Sequence, residues 1–552
     1  MDHIKEPFLS KRRGVLRWMD KDSLFCRSLI FVLVAALLIL GACSVMDYGQ
    51  NWDEDEEITI YIGNLKEYAR LFFGTNNDFN REFSEIDFAT DNVNVDHGSS
   101  VYYVLAPFVK TVYANNYLGF LFLWRFATWV VFVMGVYFLY LSIKEMTGDP
   151  RYGLLGAVIL VLSPRILSNG FFNHKDIAQL SLWIMMFYFA LKWLKNGGFR
   201  WAILLGVVAA FSVNMRIASA MMYFACGVTY IVQLIKNRKT LRLQHVLQGV
   251  ASIAAFLAVM FLITPATWDG LFSYFFYCFK NSAAFPWGGH VFFMGTLYRG
   301  TELPLYYLPV MIAITTPIIF VALFAVGAIG LPVRFFAKKE HRKFDPAMLL
   351  LILSTAIPFA VYFISKPVLY NGWRHYYFIY GLLVVWMVLG LKFLLEYAKP
   401  VWKRIVCATV ALQCVAILVL VIVTHPFQYT YYNILAGTHP EHRQEMDYWG
   451  VSGKQALEEL VDTEYEGAPL KIGCQGYGST TIFRHNYGAL SEEYQSKLAV
   501  VSEVDDAEYL FVNPMYYQAS EGEGYPSMDS YEECIVVEYL DSPIMKIYKK
   551  VS

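Results

Sequence analysis

The sequence predicts a polytopic α-helical membrane protein of about eleven transmembrane helices, with interfacial helices on its outer face and a small C-terminal α/β domain outside the membrane. Three observations carry this reading. The chain of 552 residues is 57% hydrophobic and only 16% charged, where soluble domains are nearer a quarter charged. Apolar runs of roughly 17–25 residues, the length that spans a bilayer, recur from Ser28 to Thr424. Basic residues gather in alternate connections between those runs.

The N-terminal residues 1–27 are basic (Lys5, Lys11, Arg12, Arg13, Arg17, Lys21, Arg27), and the chain turns apolar at Ser28. A cleaved signal peptide, with Leu40-Gly41-Ala42-Cys43 as a lipoprotein-like box, is the lesser reading. The basic lead is long and many further spans follow. An uncleaved first helix with a cytoplasmic N-terminus fits better.

Spans are expected near residues 37, 128, 158, 185, 208, 226, 255, 318, 356, 385 and 414. Lys144 and Arg151 follow the second; Lys192, Lys195 and Arg200 the fourth; Lys236, Arg238, Lys239 and Arg242 the sixth. Arg334, Lys338, Lys339, Arg342 and Lys343 follow the eighth; Lys399, Lys403 and Arg404 the tenth. With the N-terminus inside, all these loops are cytoplasmic, as the positive-inside rule asks. The protein is thus expected in the plasma membrane, multi-pass, with its C-terminus extracytoplasmic.

Residues 28–424 form the expected transmembrane domain, with a long first outer loop, 47–116. Within it, Ile58 to Phe73 has apolar residues at a helical period, and Val101 to Tyr113 is similar; both read as interfacial helices. Residues 425–552 form the expected extracytoplasmic domain. Gln455–Val461 reads as a helix, and 470–473, 498–501, 509–512 and 535–539 read as strands. Gly473, Gly476 and Gly478 flank aromatics and read as turn glycines. Six of the eight cysteines lie in or beside apolar spans; whether Cys474 and Cys534 pair is left open.

A net charge of −1 argues against a polyanionic partner, and no nucleic-acid signature occurs. Chemistry is expected at the outer membrane boundary. Asn51-Trp52-Asp53-Glu54-Asp55-Glu56-Glu57 puts five consecutive acids just past the first span. A partly desolvated carboxylate there could act as a general base. Ser163-Pro164-Arg165 and Phe171-Phe172-Asn173-His174-Lys175-Asp176 pack cations and an acid into a second outer loop, with Asp176 a natural cap for the next helix. Asn371-Gly372-Trp373-Arg374-His375-Tyr376-Tyr377 opens the tenth span; a guanidinium there suits a phosphate. Arg216 is a weaker candidate of the same kind, and His97 reads as structural. No HExxH, CxxC or other metal spacing occurs, so a metal is not indicated, though a divalent ion on scattered Asp and His stays open; the sequence leaves cofactors unknown.

These pieces resemble the GT-C superfamily of membrane glycosyltransferases, and more closely the bacterial protein O-mannosyltransferase-like proteins (glycosyltransferase family 39 type). The matching motifs are Trp52-Asp53-Glu54, Asn173-His174-Lys175-Asp176, Tyr370-Asn371-Gly372-Trp373-Arg374-His375, His425-Pro426-Phe427-Gln428-Tyr429-Thr430-Tyr431-Tyr432-Asn433 and Asp447-Tyr448-Trp449-Gly450. The resemblance implies inverting transfer of a sugar from a polyprenyl-phosphate-sugar donor, at the outer face, to an acceptor glycan, lipid or protein. It makes Asp53 the base, Glu54 its support or an acceptor ligand, and Asp176 a second acid. Arg374, with His375 beside it and with Lys175 or Arg165, would hold the lipid phosphate. The acidic run continues through Glu57, so the base is ambiguous between Asp53 and Asp55; the preceding Trp52 favours Asp53. A flippase of lipid-linked sugars would share spans and outer charges, but would be expected to carry mid-membrane ionisable sites and repeated halves. No repeat is evident here.

Overall fold

The structure, a computed structural model, describes residues 16–86, 96–283, 285, 287–337, 344–476 and 478–551. Lys5, Lys11, Arg12 and Arg13, and Lys338, Lys339, Arg342 and Lys343, lie outside the described residues.

The chain is a multi-pass helical membrane protein with a small C-terminal sheet domain. Among the described residues, eight helices are long and apolar enough to cross a bilayer: Leu24–Ser44, Tyr117–Thr147, His174–Asn196, Ile217–Lys236, Leu243–Ile263, Pro346–Ser365, Arg374–Tyr397 and Pro400–Val423. A ninth is a broken pair, Pro150–Val161 and Pro164–Phe172, bent by 70°. Phe199–Met215 and Ile318–Val333 are apolar but shorter. The expected count of eleven therefore resolves into eight full spans, one bent span and two short helices. Proline explains two of the departures. Pro164 and Pro317 each open a new helix, because a residue without an N–H cannot continue the preceding ladder.

The bend at Pro164 matters for the site. It carries Pro164–Phe172 back into the protein, and all nine of its residues are buried. Ser163 holds the corner: its hydroxyl donates to the Ile159 carbonyl and meets the Tyr380 hydroxyl at 2.8 Å.

The acidic run is not a loop. It is the first turn of a 20-residue helix, Glu54–Phe73, which starts four residues before the expected Ile58. Four carboxylates in the first turn suit the positive end of the helix dipole. The second expected interfacial helix, Val101 to Tyr113, is instead a 3₁₀ stretch, a short α-helical piece around Pro107 and a π turn.

Among the described residues, the ends of helices Tyr117–Thr147, His174–Asn196 and Arg374–Tyr397 that lead into basic connections come together. Lys192 and Lys195 both pair with Glu145, and Lys392 donates to the Thr147 carbonyl.

The C-terminal part holds a five-stranded sheet. Its strands are β1 (Leu470–Cys474), β2 (Leu498–Val500), β3 (Tyr509–Val512), β4 (Tyr531–Tyr539) and β5 (Ser542–Lys550), in spatial order β2-β1-β3-β5-β4. β1 pairs in parallel with β2 and β3, and the β4–β5 hairpin adds antiparallel to β3. Helices Gly453–Glu464 and Ser479–Gly488 pack on the sheet. Gly473 lies within β1 and is not a turn residue, whereas Gly476 and Gly478 do take positive φ, 101° and 80°. None of the eight cysteines is in a disulfide. Cys474 on β1 and Cys534 on β4 lie three strands apart, roughly 14 Å at the usual spacing, too far to bond.

Candidate active site

The helix beginning at Glu54 fans its acids apart, because successive side chains turn by about 100°. Each acid therefore meets a different partner. Asp53 occupies the N-cap position, yet its carboxylate caps no N–H. It points instead to Arg374, whose Nη1 donates to Asp53 Oδ2 at 2.7 Å. Asp55 faces the other way. It accepts from Gln50 Nε2 at 2.6 Å and from the Tyr117 hydroxyl, and lies 3.4 Å from His485 of the C-terminal domain.

Glu54 is fully buried. Arg125 grips both its oxygens, Nε to Oε1 at 2.7 Å and Nη2 to Oε2 at 2.6 Å. The Asn51 N–H also donates to Oε2. The same guanidinium donates to the carbonyls of Val45, Tyr48 and Gly49. Arg125 thus fastens the end of the first span to the start of the acidic helix. Glu54 has no exposed surface, which fits the supporting role of the two expected for it better than contact with an acceptor. Sequence reasoning missed Arg125; the available signal was a lone arginine inside an apolar span.

Asn51 ties this corner to the bent helix. Its Nδ2 donates to the Phe172 carbonyl and its Oδ1 accepts the Asp53 N–H. Beyond the bend, Asn173 caps helix His174–Asn196 by accepting the Asp176 N–H. Asp176 is not the cap. Its carboxylate lies 2.8 Å from Arg216 Nη2 and 3.6 Å from Arg374 Nη1. Arg374 consequently sits between two acids. It rests on the rings of Trp449 and Tyr370, 4.6 and 5.0 Å from their centroids, an arrangement that suits the flat guanidinium. Arg216 joins the cluster more firmly than its sequence position suggested.

The remaining predicted cations divide. Lys175 is buried and donates to Glu57 Oε1 at 2.6 Å; His97 stands 3.8 Å from the same oxygen. Lys175 therefore already has a counter-ion. His375 is half-buried and turns its ring toward Tyr370, with Nδ1 unpartnered. Arg165 is buried, donates from Nη2 to the Tyr431 carbonyl, and stacks 4.6 Å from the Tyr432 ring centroid. Among the described residues it has no carboxylate partner, and its Nε and Nη1 have no acceptor. Arg374 Nε and Arg216 Nε are likewise buried without acceptors. Guanidinium N–H groups buried unpaired are costly, so this is a place suited to binding an anion.

Two turns hold the floor of the site. Asn371 and Gly372 both take positive φ, 55° and 68°, and reverse the chain just before Arg374. The Gly372 N–H donates to buried Glu445. Asp447 ties the second turn, accepting the N–H groups of Gly450 and Ser452 at 2.7 and 3.0 Å, and Trp449 Nε1 reaches Asn169. Glu445 carries no sequence signal of its own.

Charge sets the protonation states. Burial works against ionisation of Asp53, but Arg374 and Lys175 together hold its carboxyl below the ordinary value. His97 is driven well below its usual value, first by burial and then by Lys175, Arg216 and Arg374. Glu445 goes the other way: burial pushes its carboxyl up to about 7, against the Gly372 and Phe292 N–H groups and the Arg165 charge. Asp53, Glu57 and Asp176 are thus each paired with a cation from Arg374, Lys175 and Arg216, while Arg165 stands apart from these pairs.

Such a site can place a carboxylate beside a phosphate-binding cation. Residues 120–268 match the family model of the dolichyl-phosphate-mannose-protein mannosyltransferases. The resemblance drawn from the motifs is thus met by a family match, over a segment that contains Arg125, Arg165, Lys175, Asp176 and Arg216. In overall course the chain is also similar to a crystal structure of ArnT from Cupriavidus metallidurans bound to undecaprenyl phosphate. That likeness has 10% identity, covers 95% of this chain and 98% of that one, and has a TM-score of 0.43. No curated protein gives a significant match.

Proposed function

We propose that this protein is an inverting glycosyltransferase, moving a sugar from a polyprenyl-phosphate donor to an acceptor hydroxyl at the extracytoplasmic face of the plasma membrane. The observation that carries the reading is the contact between the ionised Asp53 and Arg374, beside an Arg165 whose Nε and Nη1 lack an acceptor. The family match over residues 120–268 supports a donor of this class. The basic connections at the far end of the bundle support the sidedness, with the N-terminus inside and residues 425–552 outside.

In this mechanism the acceptor oxygen attacks the anomeric carbon while Asp53 takes its proton. The bond from that carbon to the phosphate oxygen breaks, and the phosphate departs with the electron pair. Arg374 and Arg165 stabilise the charge that develops on it. One displacement on one face inverts the anomeric centre. Donor phosphate drawn to Arg374 competes with Asp53 for that guanidinium. Binding thereby releases the carboxylate and raises its basicity when it is needed. Asp176 and Arg216 keep Arg374 in place, and Glu57 keeps Lys175 in place. Asp55 has its own partners on the domain side, so Asp53 is the base.

The test is sugar transfer from labelled polyprenyl-phosphate sugars in proteoliposomes, comparing wild type, Asp53→Asn and Asp55→Asn. Transfer lost only in Asp53→Asn is expected. Loss only in Asp55→Asn would move the base by two residues. Labelled lipid that changes leaflet without donor consumption would replace the transferase with a flippase.

A further inference from the structure

We propose that His439, Glu441 and His442 form a transition-metal site, best suited to zinc, in the segment between helix Pro400–Val423 and helix Gly453–Glu464. The inference is independent of the glycosyltransferase reading. The short 3₁₀ turn Pro440–His442 has three residues per turn, so residues 439 and 442 come to the same side. The rings of both histidines aim at one carboxylate oxygen. His439 Nδ1 lies 3.1 Å and His442 Nε2 3.7 Å from Glu441 Oε1. One ligand atom from each of the three residues can be chosen so that all lie within 4.8 Å of one another.

Zinc with ligands at 2.0–2.2 Å in a tetrahedron keeps donor atoms roughly 3.3 Å apart. The two measured contacts bracket that separation. Two imidazoles and a carboxylate suit zinc or copper, whereas calcium and magnesium prefer oxygen alone. An exposed His–Glu ion pair is the ordinary alternative, but it would need only one of the two rings.

The surroundings resemble a prepared site. The second oxygen of Glu441 accepts a hydrogen bond from the hydroxyl of Ser542, the first residue of β5, at 2.7 Å. That contact orients the carboxylate as outer partners of metal ligands do. The Glu441 side chain is only 13% exposed, while His439 and His442 are 71% and 74% exposed, so an ion can enter and a water can complete the tetrahedron. The loop backbone is held as well. The Arg443 and Gln444 N–H groups donate to the Pro440 carbonyl, and the Gly295 N–H donates to the Arg443 carbonyl. Three residues past His442, Glu445 receives the Gly372 N–H. An ion here would stiffen the turn from His439 to His442, which lies between the Ser542 contact and Glu445.

The experiment uses the full chain without a histidine tag, stripped with EDTA in detergent and dialysed against micromolar ZnCl2, with metal content measured by mass spectrometry. One zinc per wild-type chain is expected, unaffected by excess Mg2+, and lost in His439→Ala/His442→Ala. The exposed histidines make that variant safe to fold, and the tryptophan fluorescence unfolding curve of the stripped proteins checks it. No zinc on the wild type, or a full equivalent on the double variant, would overturn the proposal.

Discussion

Asp53 and Glu54 are neighbours in the chain with opposite duties, and substitution should separate them. Arg125→Met removes the guanidinium that holds Glu54 and three backbone carbonyls, all at a site with no solvent access. Removing one member of a buried ion pair typically costs about 3–5 kcal/mol. The stranded carbonyls add to that, at about 1–3 kcal/mol for each left unsatisfied, though not additively. A loss of at least about 4 kcal/mol is expected. Glu54→Gln keeps the shape and some hydrogen bonding, so it should lose less. The double variant Arg125→Met/Glu54→Gln should be more stable than Arg125→Met alone, because no buried carboxylate is left unpaired. The assay is denaturant-induced unfolding in a fixed detergent, read by tryptophan fluorescence, alongside sugar transfer. Asp53→Asn, with its side chain 36% exposed and Asp176 still beside Arg374, should abolish transfer and lower the unfolding midpoint much less than Arg125→Met does. If Arg125→Met unfolds like the wild type, or the two changes are strictly additive, the Arg125–Glu54 clamp is refuted.

Arg165→Met should weaken binding of polyprenyl phosphate by roughly 10–150-fold, the equivalent of one charge-assisted hydrogen bond, while stability holds; unchanged binding would remove Arg165 from the phosphate site. Glu445 has a folded value of about 7 against 4.5 for a free side chain. The folded state therefore keeps a proton that the unfolded state sheds, and stability falls as pH rises from about 4.5 to 7. Glu445→Gln should gain on the wild type across that window by on the order of 3 kcal/mol, read from unfolding at a series of pH values; a parallel pair of curves would contradict it. Both Cys474 and Cys534 should be alkylated after unfolding without reductant, and reductant should leave the unfolding midpoint unchanged; a blocked pair would refute the strand order.

Much of this protein is legible in its sequence because the bilayer is a strict solvent. Apolar length announces a span, and the basic connections mark one end of the bundle, as Glu145 with Lys192 and Lys195 shows. The strands at 470–473 and 509–512 are readable as short apolar runs between polar turns, whereas Ser542–Lys550, with its late lysines, is not. The Asp53, Asp176 and Arg374 motifs could be picked out singly, as charges placed beside apolar runs. Their pairing could not, because it joins residues 53, 176, 216 and 374 across the whole chain. Pro164 was visible as a break but not as a 70° turn that buries Arg165. Five like charges in a row give no hint of separate fates. The helix beginning at Glu54 assigns them: Asp53 to Arg374, Glu54 to Arg125, Asp55 to Tyr117 and Gln50, Glu57 to Lys175. Periodicity and charge are local properties, and the sequence determines them alone. Which carboxylate is satisfied, and which faces an arginine ready for an anion, depends on packing between distant segments, and only the tertiary structure decides it.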